Sequence, residues 1–348
     1  MIKVAIAGAS GYAGGELVRL LSNHPDVVIT HLFVSAQSVD ANKAICELYG
    51  NLRRKCALSL EPLDEQVAQG LSKDECDVIF LATDHKVSHD LAPLFIDNGI
   101  VVIDLSGAFR LSDKDTFAKY YGFEYGQRQA QLLQERVYGL VDWVDAKKIE
   151  DASLISMPGC YPTASELAIK PLTANGLLDE SMVVVINAVS GVSGAGRKAK
   201  LNNSFCEVSL NAYGIFNHRH MPEIAEYAQT KVIFNPHLGN FKRGILATIT
   251  AKLVSGVSDE QLKNAYENAY GQMDSADCDK LNSLVRFKSG TVKLQDVQHE
   301  PFCDISYTRD GDYIVITSAI DNLLKGAASQ AIEAMNIHFK LPRCRCLL

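Results

Sequence analysis

Apolar and polar positions divide the first hundred residues into short apolar runs and segments with helical spacing. Residues 2–7 form an apolar run, and Leu17, Leu20 and Leu21 then recur at the spacing of a helix. Later apolar runs lie at 27–34, 78–82 and 100–105, with a helical stretch near 86–98. Short strands that are apolar on both faces and separated by helices are typical of a parallel sheet with right-handed crossovers. The pattern therefore predicts a doubly wound α/β domain.

The pattern changes after about residue 160, where apolar and polar residues alternate with period two. Residues 245–253 show this alternation, so one face of their sheet is expected to be solvated. Further strands are predicted at 183–188, 301–308 and 313–318. Helices are predicted at 164–175, 259–271 and 322–338. We therefore expect an α+β domain with a mainly antiparallel sheet.

This change of pattern is also the sign of a domain boundary. We expect residues 1–158, completed by the C-terminal residues 322–348, to form the first domain and residues 159–321 to form the second. A chain of 348 residues agrees with this division, because one domain usually holds about 100–200 residues.

Composition and charge exclude several classes of protein. Apolar residues make up 47% and charged residues 22% of the chain, which is typical of a globular protein and not of a disordered or fibrous one. The net charge of −7 argues against a nucleic-acid partner. Because no run approaches the roughly 20 apolar residues of a membrane span, and the first run reaches Gly8 too early for a signal peptide, we expect a cytoplasmic protein without a membrane partner.

The nine cysteines follow no metal-binding or disulfide pattern. Their number is odd and none of them forms a C-x-x-C pair. We expect mostly reduced, buried thiols and no metal site. The cysteines are Cys46, Cys56, Cys76, Cys160, Cys206, Cys278, Cys303, Cys344 and Cys346.

A glycine-rich turn separates the first predicted strand from the first helix. It reads Gly8-Ala9-Ser10-Gly11-Tyr12-Ala13-Gly14, with the spacing G-x-x-G-x-x-G rather than G-x-G-x-x-G. Glycines allow close approach to a pyrophosphate, and N–H groups at the helix start meet its charge. A tight connection without a ligand is the alternative, but placement at the first strand favours a Rossmann-type dinucleotide site. Its predicted contacts are Gly8, Ser10, Gly11, Tyr12 and Gly14.

The end of the second predicted strand indicates which dinucleotide binds. An NAD site usually carries a carboxylate there for the ribose 2′-hydroxyl. From the end of this strand to residue 39 there is no carboxylate, and the first one after the strand is Asp40. Ser35, Gln37 and Lys43 can instead surround a 2′-phosphate. The sequence therefore favours NADP(H).

Cys160 stands out among the cysteines because of the residues around it. It lies in Pro158-Gly159-Cys160-Tyr161-Pro162, and Pro162 suits the first position of a helix. We therefore expect Cys160 just ahead of a helix N-terminus, where the dipole and amides stabilise a thiolate. A buried, inert thiol is the alternative interpretation. The other eight cysteines have no such setting and are interpreted as structural.

A histidine pair, His218 and His220, provides candidates for proton transfer. Histidine changes protonation near neutral pH, and a nucleophilic thiol needs a base and an acid nearby. On an extended segment the two side chains would face the same side. The sequence leaves open which one is catalytic, and an exposed loop with two spare histidines is the alternative.

Two further segments carry candidate ligand-binding residues. The small residues around Ser193 and Gly194 allow a loop to approach a ligand, and either Arg197 or Lys198 can reach an anion. A flexible surface turn is the alternative there. Ser106 and Arg110 follow a predicted strand, where ligands of parallel sheets gather, so Arg110 is either a phosphate clamp or a surface ion-pair residue.

Taken together, these segments resemble the N-acetyl-γ-glutamyl-phosphate reductases, the NADPH-dependent enzymes of arginine biosynthesis, over essentially the whole chain. The matching segments are 8–14, 104–110, 137–140, 158–163, 190–197, 218–224 and 322–328. The resemblance implies that Cys160 is the nucleophile and that the histidine pair belongs to the acid/base segment. It also implies a cofactor contact at Asn322 with Gly326, and a homodimer or homotetramer.

The resemblance implies a reaction in which the Cys160 thiolate attacks an acyl phosphate, phosphate leaves and a thioester remains. Reduction with NADPH and proton transfer from a histidine would then release N-acetyl-glutamate semialdehyde. The candidate substrate contacts are Ser106, Arg110 and Arg197. An aspartate-semialdehyde dehydrogenase-type reductase and a non-catalytic NADPH-binding redox sensor are the alternatives.

The chain departs from the family pattern at three places. Val141-Asp142-Trp143 stands where an acidic pair is common, and Thr83-Asp84-His85 replaces Leu-Pro-His. The tail Arg343-Cys344-Arg345-Cys346 has no evident family counterpart.

Overall fold

The computed structural model describes residues 1–271 and 283–348, so Cys278 lies outside the described residues. Two compact units divide the chain. The first contains Met1–Pro158 and Ala327–Leu348, and the second contains Gly159–Gly326. The chain thus returns to the first unit at Ala327 rather than at residue 322.

The strands within these residues are β1 (Ile2–Ala7), β2 (Val27–Ser35), β3 (Leu60–Leu63), β4 (Val78–Leu81), β5 (Val101–Asp104), β6 (Val137–Tyr138), β7 (Leu154–Ser156), β8 (Val184–Gly191), β9 (Asn211–Ala212), β10 (Val232–Gly239), β11 (Ile245–Lys252), β12 (Val285–Phe287), β13 (Cys303–Asp310) and β14 (Tyr313–Ile320). The α-helices within them are α1 (Tyr12–Leu21), α2 (Ile45–Leu48), α3 (Glu65–Gly70), α4 (His85–Asp97), α5 (Lys114–Tyr121), α6 (Gln127–Glu135), α7 (Ala146–Glu150), α8 (Cys160–Ala174), α9 (His220–Ala228), α10 (Asp259–Tyr270) and α11 (Ser329–His338). In the described part of the chain, no helix has both the length and the apolarity needed to cross a membrane.

The first unit is built on a seven-stranded sheet in the order β3-β2-β1-β4-β5-β7-β6. Every pair of neighbouring strands is parallel. β4 is buried along its whole length, because helices cover both faces of such a sheet. The predicted doubly wound, Rossmann-type domain is confirmed.

The second unit is built on a mixed seven-stranded sheet in the order β12-β13-β14-β11-β8-β10-β9. Four neighbouring pairs are antiparallel, whereas β12 with β13 and β8 with β10 are parallel. The mainly antiparallel sheet is therefore confirmed. Burial alternates residue by residue along β11, so one face packs on the core and the other stays partly accessible.

The accessible face of this sheet carries uncharged side chains at its centre. Thr248 of β11 pairs in register with Asn187 of β8 and Thr317 of β14. Two residues along, Thr250 pairs with Val185 and Val315. We call these six residues the central sheet face.

The C-terminal tail is folded into the first unit. The Arg343 guanidinium lies 2.7 Å from carboxylate oxygens of both Asp142 and Glu333, which are buried. Arg345 pairs with Asp26 at 3.0 Å, and the Cys346 thiol donates to the Leu20 carbonyl at 2.9 Å. Two departures from the family pattern, Asp142 and the tail, therefore meet in one ion cluster.

Candidate active site

The glycine-rich turn connects β1 to α1. Gly8 has φ +81°, and a Cβ there would overlap the carbonyl oxygen of Ala82, so the turn needs glycine at this position. The Tyr49 hydroxyl lies 2.9 Å from the carbonyl oxygens of Ser10 and Gly11 and holds the turn from one side. Gly11 is the N-cap of α1, whose first turn has no acidic residue. The N–H groups of a first helical turn have no acceptor within the helix, so this cradle fits a pyrophosphate.

Ser35 and Gln37 lie exposed at the end of β2. The nearest carboxylate after the strand, Asp40, is 8% exposed and forms an ion pair with Lys43 at 3.2 Å. This strand end therefore presents hydroxyl and amide groups with no accessible carboxylate among residues 35–40, which fits a 2′-phosphate better than a free 2′-hydroxyl.

A buried polar turn follows β5 in the first unit. The Asp104 carboxylate accepts hydrogen bonds from the Ser106 N–H at 2.9 Å and the Ser106 hydroxyl at 3.0 Å. The same hydroxyl accepts from the Ala108 N–H at 3.0 Å, so it is engaged within its own turn. Burial raises the pKa of the Asp104 carboxyl, against the opposing effects of Ser106 and Arg110. Ser106 thus shapes the turn, and its contact with the substrate stays a prediction.

Arg110 is not a surface ion-pair residue, because it is only 4% exposed. Its Nε donates to the Met157 carbonyl at 2.8 Å, and one terminal nitrogen donates to the Leu105 carbonyl at 2.7 Å. The Met157 N–H in turn donates to the Asp104 carbonyl at 2.8 Å. The guanidinium therefore fixes the chain just before Pro158-Gly159-Cys160, in addition to any contact with an anion.

His85 was not among the predicted site residues. Its Nδ1 accepts a hydrogen bond from the Gly107 N–H at 2.8 Å, so the imidazole is neutral with its proton on Nε2. This places an N–H donor beside the turn after β5. The sequence carried a signal, since this histidine follows β4 as Ser106 follows β5.

Cys160 is the first residue of α8, and Gly159 is its N-cap. The expectation that Cys160 lies just ahead of the helix is therefore corrected, and Pro162 occupies the third helical position. The first turn of a helix has unsatisfied N–H groups, so a proline is tolerated there beyond the first position. The side chain of Cys160 is partly accessible and stands at the positive end of the helix dipole, which stabilises a thiolate.

A buried carboxylate joins the start of α8 to that of α9. Glu223, in the first turn of α9, accepts a hydrogen bond from the Gly159 N–H at 2.8 Å. Its side chain is inaccessible to solvent. The sequence prediction omitted Glu223, although its position three residues after His220 places both on one helix face.

The two histidines lie at the N-terminus of α9, with His220 as its first helical residue. They are not on an extended segment, yet their rings are 4.8 Å apart. His218 Nδ1 accepts a hydrogen bond from the His220 N–H at 3.1 Å. Burial and, to a lesser extent, Arg219 lower the pKa of His218 to about 4. His218 is therefore neutral at pH 7 and carries its proton on Nε2.

Aromatic side chains surround His218 within the second unit. Its ring meets those of Tyr161, Tyr213 and Phe234 edge to face, at centroid distances of 5.8, 5.5 and 5.4 Å. The Tyr161 hydroxyl donates to the His237 carbonyl, and the Tyr213 hydroxyl lies 3.3 Å from that of Tyr161. Because Tyr161 follows Cys160 directly, this cluster connects α8 to the histidines.

Asn322 anchors the loop after β8. Its side-chain N–H donates to the Ser193 hydroxyl at 3.0 Å, and its Oδ1 accepts from the Gly244 N–H at 2.6 Å. Gly194 and Arg197 are exposed on this loop. The predicted residues Ser193, Gly194 and Asn322 thus form one local structure, and Arg197 lies on its accessible side.

No disulfide bond joins the cysteines of the described residues. Cys56, Cys76, Cys303 and Cys344 are buried, as expected, but Cys206 is exposed. Burial raises the pKa of the Cys76 thiol to about 12. The environments of the cysteines therefore differ widely.

Comparisons with known proteins agree with this arrangement. A family model for the semialdehyde dehydrogenase NAD binding domain matches residues 3–152, and one for the semialdehyde dehydrogenase dimerisation domain matches residues 160–322. The N-acetyl-gamma-glutamyl-phosphate reductase of Pasteurella multocida (strain Pm70) is 53% identical over 349 residues, covering 100% of both chains. That of Vibrio parahaemolyticus is 50% identical over 351 residues, with the same coverage.

Solved structures show the same fold at low sequence identity. Aspartate semialdehyde dehydrogenase II of Vibrio cholerae, complexed with ASA, has a TM-score of 0.70 and 15% identity, covering 98% of each chain. The Candida albicans aspartate semialdehyde dehydrogenase with NADP has a TM-score of 0.66 and 14% identity, covering 97% of this chain and 99% of that one.

Proposed function

Because the chain belongs to the N-acetyl-γ-glutamyl-phosphate reductases, a family of semialdehyde dehydrogenases, we propose that it reduces N-acetyl-γ-glutamyl phosphate with NADPH to N-acetyl-glutamate semialdehyde and phosphate. This is a reaction of arginine biosynthesis. Full-length identity of 53% to a reductase of that name supports the substrate. The position of Cys160 at the start of α8 supports its role as the nucleophile. A non-catalytic redox sensor does not agree with this family membership.

Cys160 acts as the nucleophile in this proposal. Its thiolate attacks the acyl carbonyl, the C–O bond to phosphate breaks, and a thioester remains on Sγ. N–H groups at the start of α8 stabilise the oxyanion that forms during attack, a contribution often worth about 3–4 kcal/mol per donor. The Gly159 N–H already donates to Glu223, and the Thr163 N–H donates to the Gly159 carbonyl. Because Pro162 has no N–H, the proposed donors are the N–H groups of Cys160 and Tyr161.

The cofactor cradle is formed by residues 8–14 and the end of β2. Gly8, Gly11, Tyr12 and Gly14 would hold the pyrophosphate, and Ser35 and Gln37 the 2′-phosphate. When bound, NADPH supplies the hydride that reduces the thioester carbon. Ser193, Gly194 and Asn322 are further cofactor contacts in this proposal, and the resemblance implies the one at Asn322.

In this proposal a histidine of the pair accepts the proton of the Cys160 thiol when the thiolate forms, and returns it to Sγ after the aldehyde has left. His220 suits proton transfer better than His218, because the low pKa of His218 keeps it neutral at pH 7. His218 accepts the His220 N–H and so holds the start of α9 in place. Arg110 and Arg197 are the cationic side chains proposed for the substrate phosphate.

The proposed assembly is a homodimer or homotetramer in the cytoplasm. A dimerisation domain model matches the second unit over residues 160–322, which supports association of two copies. The central sheet face is partly accessible and uncharged, and depletion of charge is a property of interface centres. The absence of disulfides from the described cysteines agrees with a reducing compartment.

The test is phosphate-dependent reduction of NADP⁺ with N-acetyl-glutamate semialdehyde, run beside aspartate semialdehyde. The proposal predicts turnover with the acetylated substrate, strict dependence on phosphate and at least 100-fold lower kcat/KM with aspartate semialdehyde. Faster turnover with aspartate semialdehyde would assign the chain to the other acyl-phosphate reductase. Thiol labelling without turnover of either substrate would contradict both.

A further inference from the structure

We propose that the π-helical turn Leu324–Ala328 positions the Cys160 side chain. Gly326 leaves the space that this side chain occupies, and the Asp321 carboxylate holds the turn in place. The inference rests on the proposed role of Cys160 as nucleophile. It adds two positioning residues that act through Cys160 and do not themselves touch the reacting atoms.

Gly326 packs directly against Cys160. A Cβ added to Gly326 would lie 2.8 Å from the Cys160 Cβ and 3.2 Å from its Cα. It would also lie 3.1 Å from Cδ1 of Ile320, which is fully buried. Carbon atoms in contact normally lie about 3.5–4.0 Å apart. Any side chain at residue 326 must therefore displace either Cys160 or the turn itself.

The turn is wider than an ordinary helical turn. The Gly326 N–H donates to the Asp321 carbonyl at 3.0 Å, a bond that spans five residues, as in a π-helix. The Leu324 N–H donates to the same carbonyl at 3.2 Å. Single π turns occur often at functional sites. Here the widened turn brings a residue without a side chain against the nucleophile.

The Asp321 carboxylate holds the turn and is fully buried. Its Oδ1 accepts from the Leu323 N–H at 2.9 Å and the Leu324 N–H at 3.1 Å. Its Oδ2 accepts from the His299 N–H at 2.7 Å and forms an ion pair with Arg243. A buried carboxylate needs such donors to remain charged. Four donors around one carboxylate fix the turn relative to the loops that carry Arg243 and His299.

This packing leaves the Cys160 side chain room that a side chain at residue 326 would take. The α8 backbone fixes the Cα of Cys160, and the absence of a side chain at Gly326 lets the Cys160 Cβ lie against the turn. The thiol is thereby held near the amides of the first turn of α8, where its anion is stabilised. A side chain at residue 326 would move the sulfur away from them and make the thiolate less stable.

The test compares Gly326→Ala with the unmodified chain in a Cys206→Ser background, which removes the exposed thiol. The rate of inactivation by iodoacetamide is measured from pH 5.5 to 9.5. We expect the apparent thiol pKa to rise by at least one unit and kcat to fall at least tenfold. KM for the acyl phosphate should stay within threefold, since Gly326 acts through Cys160. A purely structural role would not move the alkylation profile.

Gly70→Ala is the matched control, because a Cβ there meets open space and its φ is not in the left-handed region. Gly70→Ala should leave both the pH dependence of alkylation and kcat unchanged. Asp321→Asn keeps the shape and removes the charge, so it should shift the alkylation profile in the same direction by a smaller amount. If Gly326→Ala does not fold, the alkylation profile of Asp321→Asn is the test of the positioning role.

Two outcomes separate this inference from the proposed function. If Cys160→Ser abolishes turnover but neither Gly326→Ala nor Asp321→Asn changes the alkylation profile, the positioning role is wrong and the nucleophile stands. If Cys160→Ser retains more than about a tenth of kcat, the proposed function fails together with this inference.

Discussion

Local environment gives residues of one type different chemistry in this chain. Cys76 is enclosed, and burial raises its pKa to about 12, so it stays a thiol at pH 7. Cys206 is exposed without a helix start beside it, and Cys160 is partly accessible at the first position of α8. Burial also changes the chemistry of a histidine, because burial and Arg219 lower the pKa of His218 to about 4. Reactivity is thus set by solvation and by the helix start.

Substitution of His220 is expected to lower kcat more than substitution of His218. We expect His220→Asn to lower kcat about 10²- to 10⁴-fold, because it removes the group that transfers the proton. His218→Asn should cost no more than about tenfold in kcat, since Asn can accept the residue 220 N–H in place of Nδ1. Steady-state kcat at pH 7.5 measures both, with NADPH affinity as the control for folding. Equal, small losses in the two variants would show that the acid/base segment lies elsewhere.

Helices and strands show what the sequence could and could not predict. A continuous apolar run located β1 closely, and period-two and helical patterns did the same for β11, α4 and α10, because apolar spacing reports which face is buried. The start of α8 was placed too late, since Pro162 was assigned to the first helical position and not the third. The buried position of Arg110 also escaped prediction, because its partners are backbone carbonyls that carry no residue signature.

The site shows the same division between local and distant signals. Cys160, the histidine pair and the glycine-rich turn were identifiable because short segments of chain define them. Asp321 was not, because its donors come from residues 243, 299 and 323–324, which only the folded chain brings together. Asp142 and Arg343 were noticed separately, but their ion pair needed the structure.

Arg343 in the C-terminal tail is expected to stabilise the folded chain. Arg343→Met leaves the buried carboxylates of Asp142 and Glu333 without their cation, so the free energy of unfolding should fall by about 3–5 kcal/mol. Arg345→Met is the matched control, because its pair with Asp26 is more than a third exposed on both sides and should contribute at most about 1 kcal/mol. Urea unfolding measures both. Similar values for the two variants would contradict a special role for the buried cluster.

The two units of the chain have different roles in the proposed function. The first provides the parallel sheet and glycine-rich cradle for the cofactor, and the second provides Cys160 and the histidines. The second unit also presents the central sheet face, whose strands belong to the same sheet that supports the site. In the proposed function, association and catalysis therefore depend on one sheet.

A charge on the central sheet face is expected to reduce the size of the assembly. Thr248→Arg places a charge at the centre of the central sheet face and should convert the assembly to a smaller species, because an unpaired charge in an interface centre is costly. Thr291→Arg, at an exposed loop position, should leave the assembly unchanged. Light scattering after size-exclusion chromatography measures the mass. An unchanged mass for Thr248→Arg would place the interface elsewhere.

The most direct test of the account is to trap the acylated enzyme. The chain is mixed with N-acetyl-γ-glutamyl phosphate without NADPH, quenched in acid and analysed by peptide mass spectrometry, and the released phosphate is counted. The account predicts one N-acetylglutamyl group per chain on Cys160, one phosphate released per group, and no adduct in Cys160→Ser. Phosphate release without an adduct, or an adduct on another residue, would contradict it.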